Sequence, residues 1–220
     1  MAITQAKKLE LITKHAKHFT SKSEATPVLQ GVHYCADGSA VCTDRHTLLR
    51  IGGVHNFTEE FTSHAKTGAT VEGVFPDTSR IIPQELPTQI TLINAGLRRT
   101  DLKDAIARVK VALEAAKLSG DRSYVARLAL VGSDVRIATN NDDTPYRFSA
   151  GINADIYGPD AEVSFNAEYL LNALNVFKDA GSNRVIIGIT GAMSPIVCRD
   201  EENEIDAIVL PYRIPKEVAA

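Results

Sequence analysis

The sequence predicts an α+β protein built of antiparallel sheets with a few helices. Three observations carry this expectation. Apolar residues recur at helical spacing in three segments, which are separated by short alternating runs. Hairpin and turn signals join those runs, so neighbouring strands should pair antiparallel. The second half reads helix, strands, helix, strands, and the first half reads helix, strands. The chain therefore looks like a partial internal duplication of one α+β unit. Pro83 and Pro87 bracket a linker-like stretch. They set the expected boundary, with a shortened unit over 1–86 and a complete one over 87–220.

Each element has its own signal. Residues 4–19 read as a helix with Leu9, Ile12, Ala16 and Phe19 on one face and Lys7, Lys14 and His18 on another. Residues 21–26 are polar, and Pro27 ends any helix before it. Asp37-Gly38 joins strands over 32–36 and 40–43 as a hairpin, and 47–51 continues as strand. Further strands are expected over 70–75 and 89–93.

Residues 100–118 form the clearest helix. Thr100 is its candidate cap, and Asp101 and Asp104 stand in the first turn, where the helix dipole favours acids. Leu102, Ile106, Val109 and Leu113 make the apolar stripe, and Gly120 stops the helix. Lys103, Lys110 and Lys117 recur every seven residues on a neighbouring face, with Arg99 in line. Strands follow over 124–131, 135–139 and 146–150, with a turn over 140–144. A third helix is expected over 167–178, capped by Asn166 and stopped near Gly181. Strands over 184–190, 194–199 and 205–210 finish the chain, and the acidic run 200–206 reads as a solvated hairpin loop.

Composition excludes several classes. The chain is 44% hydrophobic and 23% charged, the ordinary balance of a globular protein. No apolar run is long enough to cross a membrane, and the first residues lack the order of a signal peptide. A cytoplasmic protein without membrane contact is expected. Cys35, Cys42 and Cys198 are too few and too scattered for a disulfide framework or a structural zinc site. His15 and His18 stand three apart on a helix but lack a carboxylate or thiol partner in the pattern, so no metal site is expected. No Gly-rich phosphate loop and no nucleophile elbow occurs, so no cofactor is implied and no catalytic residue is assigned. Thr43-Asp44-Arg45-His46 follows a strand and reads as a loop rim rather than a catalytic group.

Charge is unevenly spread. Residues 1–23 and 98–118 together hold eleven bases and four acids, a net +7, so the remainder carries −10 of the overall −3. Two basic segments on an acidic body suit anion binding by one face. Two solvated helix faces would show the same pattern.

Several blocks resemble the bacterial DNA polymerase III β-subunit family, the sliding clamps. Val163-Ser164-Phe165-Asn166-Ala167-Glu168-Tyr169-Leu170-Leu171-Asn172-Ala173-Leu174 is similar to the entry and body of the second helix of that family's last domain. Ile208-Val209-Leu210-Pro211-Tyr212-Arg213-Ile214 resembles its C-terminal signature. The stretch from Glu72 to Pro83 resembles the linker into the last domain, and Ile137-Ala138-Thr139-Asn140-Asn141 is a weaker fourth block. Ala36-Asp37-Gly38 through Leu48 resembles the middle domain. The blocks stand in the family's order. The first unit lacks a helix of the family's middle domain, and Arg45 stands where the family usually has Gly.

The resemblance implies a DNA-clamp fold, with helices on one side of antiparallel sheets and two clamp-like domains, the first shortened. It implies a processivity factor in DNA replication that encircles double-stranded DNA without reading sequence. The DNA-facing residues would be Lys7, Lys14, His18, Arg99, Lys103, Lys110 and Lys117. It also implies a pocket for short peptides of polymerase and other clamp-binding proteins. Thr43, His46 and Leu48 would come from the first domain, and Met193, Pro195, Ile208, Leu210, Pro211, Tyr212 and Arg213 from the last. A clamp loader is a further implied partner. Family rings contain six domains, so a two-domain chain points to a homo-oligomer, with a trimer favoured over a dimer. Two rival expectations stand beside it: an adaptor or decoy that binds clamp partners without closing a ring, and an enzyme using His46 and Asp44.

Overall fold

The computed structural model describes residues 2–95, 99–120, 122–139 and 146–213. Among them, α1 (Gln5–His15), α2 (Asp101–Leu118) and α3 (Ala167–Ala180) are the α-helices. The first unit contributes β1 (Gly31–Tyr34), β2 (Ala40–Thr43), β3 (Thr47–Ile51), β4 (Phe61–His64) and β5 (Thr70–Val71). Then come β6 (Thr88–Ile93), β7 (Val125–Val131), β8 (Asp134–Thr139), β9 (Ser149–Ile152), β10 (Asp155–Tyr157) and β11 (Ala161–Asn166). The chain closes with β12 (Arg184–Ile189), β13 (Ile196–Asp200) and β14 (Ile205–Val209).

The strands form two sheets, and the ladders are antiparallel, as the hairpin signals require. A ten-stranded sheet runs β10-β6-β12-β13-β14-β3-β2-β1-β4-β5, and a four-stranded sheet runs β11-β7-β8-β9. The large sheet crosses the expected unit boundary without a break, because β14 pairs with β3 in the register Ile205↔Ile51 to Val209↔Thr47.

Period-two alternation gives the large sheet two apolar faces. The inner face, including Leu49, Ile51, Ile205 and Val209, shares one core with Leu11, Ile12 and Phe19 and with the buried stripes of α2 and α3. On the outer face, Val41, Leu48 and Ile208 cluster with Ile82, and half-buried Cys35 and Phe75 pack against them. Leu86 adds a second outer cluster with Ile186 and Val197. The segment from Phe75 to Leu86 thus lies as a strap over the outer face. It needs Gly188, where a Cβ would stand 2.5 Å from a Leu86 methyl.

Several expectations are corrected. The first helix is shorter than 4–19, ending at His15 before a 3₁₀ turn over Ala16–His18. Its buried face is Lys8, Leu11, Ile12 and His15, and Leu9 is 43% exposed. The phase is set by a distant partner, since Lys8 turns inward to pair with Glu204. The hydroxyl of Thr100 donates to Asp104 instead of capping the backbone. Only Thr70–Val71 of the expected 70–75 strand pairs, because Gly73 turns the chain at φ 131°. Residues 163–166, which the resemblance makes the entry to the helix, belong to strand β11, and neither β11 nor β10 was foreseen as a strand. The acidic run is not fully solvated, since Asp200 is buried and accepts from Asn203. The turn over 140–144, Arg98 and Ile214 lie outside the described residues.

The third helix matches its signals. Asn166 accepts from the N–H groups of Glu168 and Tyr169, and Gly181 ends the helix in the left-handed conformation at φ 73°. Cys42 and Cys198 are buried free thiols, and burial pushes Cys198 up to about 12.

Candidate functional site

The lysine face of α2 follows directly from its pattern. Leu102, Ala105, Ile106, Val109, Ala112, Leu113 and Ala116 are buried, so the opposite side is left to solvent. Lys103, Lys110 and Lys117 project there. Among the described residues, Lys103 and Lys110 have no carboxylate within salt-bridge distance. Lys117 pairs with Glu114 at 2.9 Å, and its ammonium lies 5.9 Å from the centre of the Tyr124 ring.

The other four expected DNA contacts are differently placed. Arg99 is held by Asp155 at 2.9 Å and by buried Asp101, so it ties β10 to the start of α2. Asp101 also accepts from the Ile93 N–H and from Asn153. Lys7 pairs with Glu10 at 3.0 Å, and Lys14 with Asp179 at 2.8 Å. His18 lies at the end of the first helical segment and lines a cleft described below.

The ten expected pocket residues come from β2, β3 and β14, the β2–β3 and β12–β13 turns, and the segment that follows β14. Thr43, Leu48 and Ile208 face outward on three neighbouring strands, since Thr43↔Leu48 and Leu48↔Ile208 are register pairs. Leu48 and Ile208 are buried beneath Ile82 of the strap. Thr43 is also buried and donates to the Thr47 carbonyl at 2.6 Å. Leu210 extends the ladder by donating its N–H to the His46 carbonyl at 2.9 Å. Pro211 follows, and Tyr212 donates its N–H to the Ser164 carbonyl, with its hydroxyl 3.1 Å from Ser123 Oγ. Arg213 is exposed, Pro195 is half-buried and Met193 is 57% exposed. The His46 side chain stands apart from Leu48 and Ile208, because its ring stacks on Tyr169 of α3 at 6.1 Å.

His46 and Tyr169 belong to a cleft of about 520 Å³ at the end of the large sheet. Its walls are the loop after α1, the β2–β3 turn and the first turns of α3. Lys17, Lys22 and Arg45 bring cations, and Asp44 and Glu168 bring carboxylates. Asp44 Oδ1 accepts from the His46 N–H, the Thr47 N–H and the Thr47 hydroxyl, so it braces the turn. Arg45 occupies the left-handed region at φ 77°. The His18 imidazole is pushed below its ordinary value, first by burial and then by Lys17, with Lys22 adding to the effect. Sequence reasoning singled out His18 and His46 but passed over Lys17, Lys22 and Tyr169 as cleft residues. Lys17 and Lys22 were visible only as members of a basic segment.

His15 and His18 do not converge on a shared ion. Their rings are 6.5 Å apart, and His15 bonds Asp179 at 3.0 Å. Among the described residues no group of His, Cys, Asp and Glu could hold a metal. No described helix is long and apolar enough to cross a membrane.

Comparison with known proteins agrees with this architecture. A family model described as DNA polymerase III beta subunit, C-terminal domain, matches residues 79–213. The chain belongs to the DNA polymerase III β-subunit family of sliding clamps. It is 27% identical over 172 residues to the beta sliding clamp of Haemophilus influenzae, covering 78% of this chain and 43% of that one. With the beta sliding clamp of Bacillus subtilis it shares 28% identity over 146 residues, 65% of this chain and 35% of that one. A solved DNA polymerase III β chain from Streptococcus pneumoniae superposes with a TM-score of 0.80 at 19% identity, covering 96% of this chain and 64% of that one. A solved sliding clamp from Pseudomonas aeruginosa gives 0.78 at 18% identity, over 97% and 66%. The fold is therefore the DNA-clamp fold, and the chain spans less than two thirds of the length of these relatives.

Proposed function

We propose that the chain is a reduced sliding clamp, a non-catalytic processivity factor acting in cytoplasmic DNA replication. In this reading, residues 1–86 are a shortened clamp unit and 87–220 a complete one. Copies close head to tail into a ring around duplex DNA, and three copies supply the six units of a family ring. The observation that carries the proposal is the free lysine face of α2. Two ammonium groups without an ion-pair partner among the described residues, spaced along one helix, attract phosphates without reading bases, which suits sliding. The acidic remainder of the chain disfavours DNA on the wrong face.

Partner proteins dock, in the same reading, where the last strand meets the first unit. Leu210, Pro211, Tyr212 and Arg213 leave the end of β14 beside His46 and supply apolar and aromatic walls. Leu48 and Ile208 beneath the strap, with buried Thr43, support this wall without being exposed themselves, and Met193 and Pro195 lie on the turn between β12 and β13. A polymerase peptide with apolar anchors gains roughly 25 cal/mol per Å² of apolar area buried there. The double substitution Leu210→Ala with Tyr212→Ala is expected to weaken such a peptide by an order of magnitude and leave the fold intact. Unchanged affinity in a calorimetric titration rejects the assignment.

One observation favours a second reading. Arg99, Lys7 and Lys14 are already engaged by carboxylates, which leaves fewer cations for DNA. An adaptor that binds clamp partners without closing a ring has that property. Light scattering over a concentration series, followed by retention on circular and on linearised DNA, separates the two. A mass near three times 23.8 kDa with retention on circles alone supports the ring. A persistent monomer with peptide binding supports the adaptor.

A further inference from the structure

We infer that the cleft at the sheet end selects acidic partner peptides, with Arg45, Lys17 and Lys22 as its specificity determinants. This rests on the peptide-docking part of the proposed function and adds the chemistry of the partner.

Arg45 carries the first argument. A non-glycine residue at φ 77° is strained, and glycine would adopt the same turn without that strain. The turn itself is made by other groups, since Asp44 and Thr43 accept the N–H groups of His46, Thr47 and Arg45. The Arg45 side chain is exposed and, among the described residues, has no ion-pair partner. Its evident consequence is a guanidinium at the mouth of the cleft.

Lys17 and Lys22 carry the second. Both line the same cleft, and neither has a carboxylate within salt-bridge distance among the described residues. Burial holds the His18 imidazole below its ordinary value, and Lys17 and Lys22 add to that effect against Glu168. A smaller hollow of about 220 Å³ shares Lys17 and Lys22 and adds Lys66, so the cationic lining continues past the cleft.

The mixed lining favours a peptide over a nucleic acid. A phosphodiester offers acceptors and negative charge only, and Asp44 and Glu168 would repel it. A peptide brings N–H donors for those two carboxylates and acidic side chains for the three cations. The His46–Tyr169 ring stack offers a flat surface to an anchor residue. The cleft also adjoins the docking strand, since Leu210 bonds the His46 carbonyl.

Fluorescence anisotropy with the full chain and two nonapeptides tests this. Both peptides carry Leu-Leu-Phe anchors, one followed by Asp-Glu-Asp and the other by Asn-Gln-Asn. The expected result is roughly fivefold tighter binding of the acidic peptide at low salt, fading toward parity in about 0.5 M salt. Arg45→Gly is expected to abolish that preference without lowering the unfolding midpoint, a combination that a structural arginine would not give. Lys17→Gln with Lys22→Gln, which leaves the turn untouched, reduces the preference as well. Equal binding of the two peptides overturns the inference and leaves peptide docking standing. Failure of both peptides to bind overturns both. Displacement of the acidic peptide by single-stranded oligothymidylate more readily than by its own unlabelled form assigns the cleft to nucleic acid and overturns the inference.

Discussion

Lys8 of α1 pairs with Glu204 in the turn between β13 and β14, 196 residues further along the chain. The lysine is 6% exposed, and the glutamate faces solvent on its other side. Beside it, the Asn203 side chain accepts the Ile3 N–H at 2.9 Å. The start of the first helix is thus fastened to the last hairpin. Glu204→Ala leaves a nearly buried ammonium without its partner. The expected loss is about 2 kcal/mol, read as a fall of about 6 °C in a thermal melt. A change within one degree would show the pair to be solvated in solution.

Acid should weaken the α1–α3 contact. His15 Nε2 and Lys14 Nζ share one oxygen of Asp179, at 3.0 and 2.8 Å. Burial, opposed by Asp179, holds the His15 imidazole below its ordinary value of 6.5. A depressed folded value means that stability is full above 6.5 and declines as pH falls toward the folded value. Burial also disfavours the Asp179 carboxylate, but Lys14 and His15 outweigh it and hold it below the usual range. Its contribution is lost only at more acid pH, below its ordinary value of 3.8. Urea melts between pH 7 and 5 are expected to show declining stability, and His15→Gln should flatten that decline. An equal slope in the variant would assign the effect to other groups, among them His18 and His33, which burial also depresses.

The strap over the outer face depends on a missing side chain. Gly188→Ala would drive a methyl into Leu86, which is itself buried against Ile186 and Val197. The expected cost is about 1–2 kcal/mol. Leu86→Ala alone should also destabilise, and combining the two should recover part of the sum. Strict additivity in a double-mutant cycle would show that the two groups do not meet.

The lysine face makes a prediction about salt. Lys103→Gln with Lys110→Gln removes two phosphate contacts and should lower the slope of log affinity against log salt by about 2. Stability should change by less than about 0.5 kcal/mol, because both side chains are exposed. An unchanged slope would remove α2 from the DNA-facing surface.

What was legible in the sequence was local. Strand β3 matches its expected span residue for residue, and the ends of α3 follow from Asn166 and Gly181, whose signals need no distant partner. The phase of α1 was not legible, because Glu204 decides it from the far end of the chain. β11 was missed because Val163 and Phe165 alternate for only six residues and run straight into α3 without a loop. The lysine spacing on α2 showed which residues share a face, but the engagement of Arg99 depends on Asp155 across a tertiary contact. The family resemblance supplied the pocket residues, while the separation of the His46 ring from Leu48 and Ile208 appears only in three dimensions.

The pairing of β14 with β3 has a consequence for biosynthesis. About 150 residues separate the two strands, so the edge of β3 stays unpaired until β14 has been synthesised and has left the ribosome. Until then the nascent first unit presents the unpaired N–H and C=O groups of the β3 edge. An open edge of this kind is a template for pairing with other chains until β14 arrives to close it.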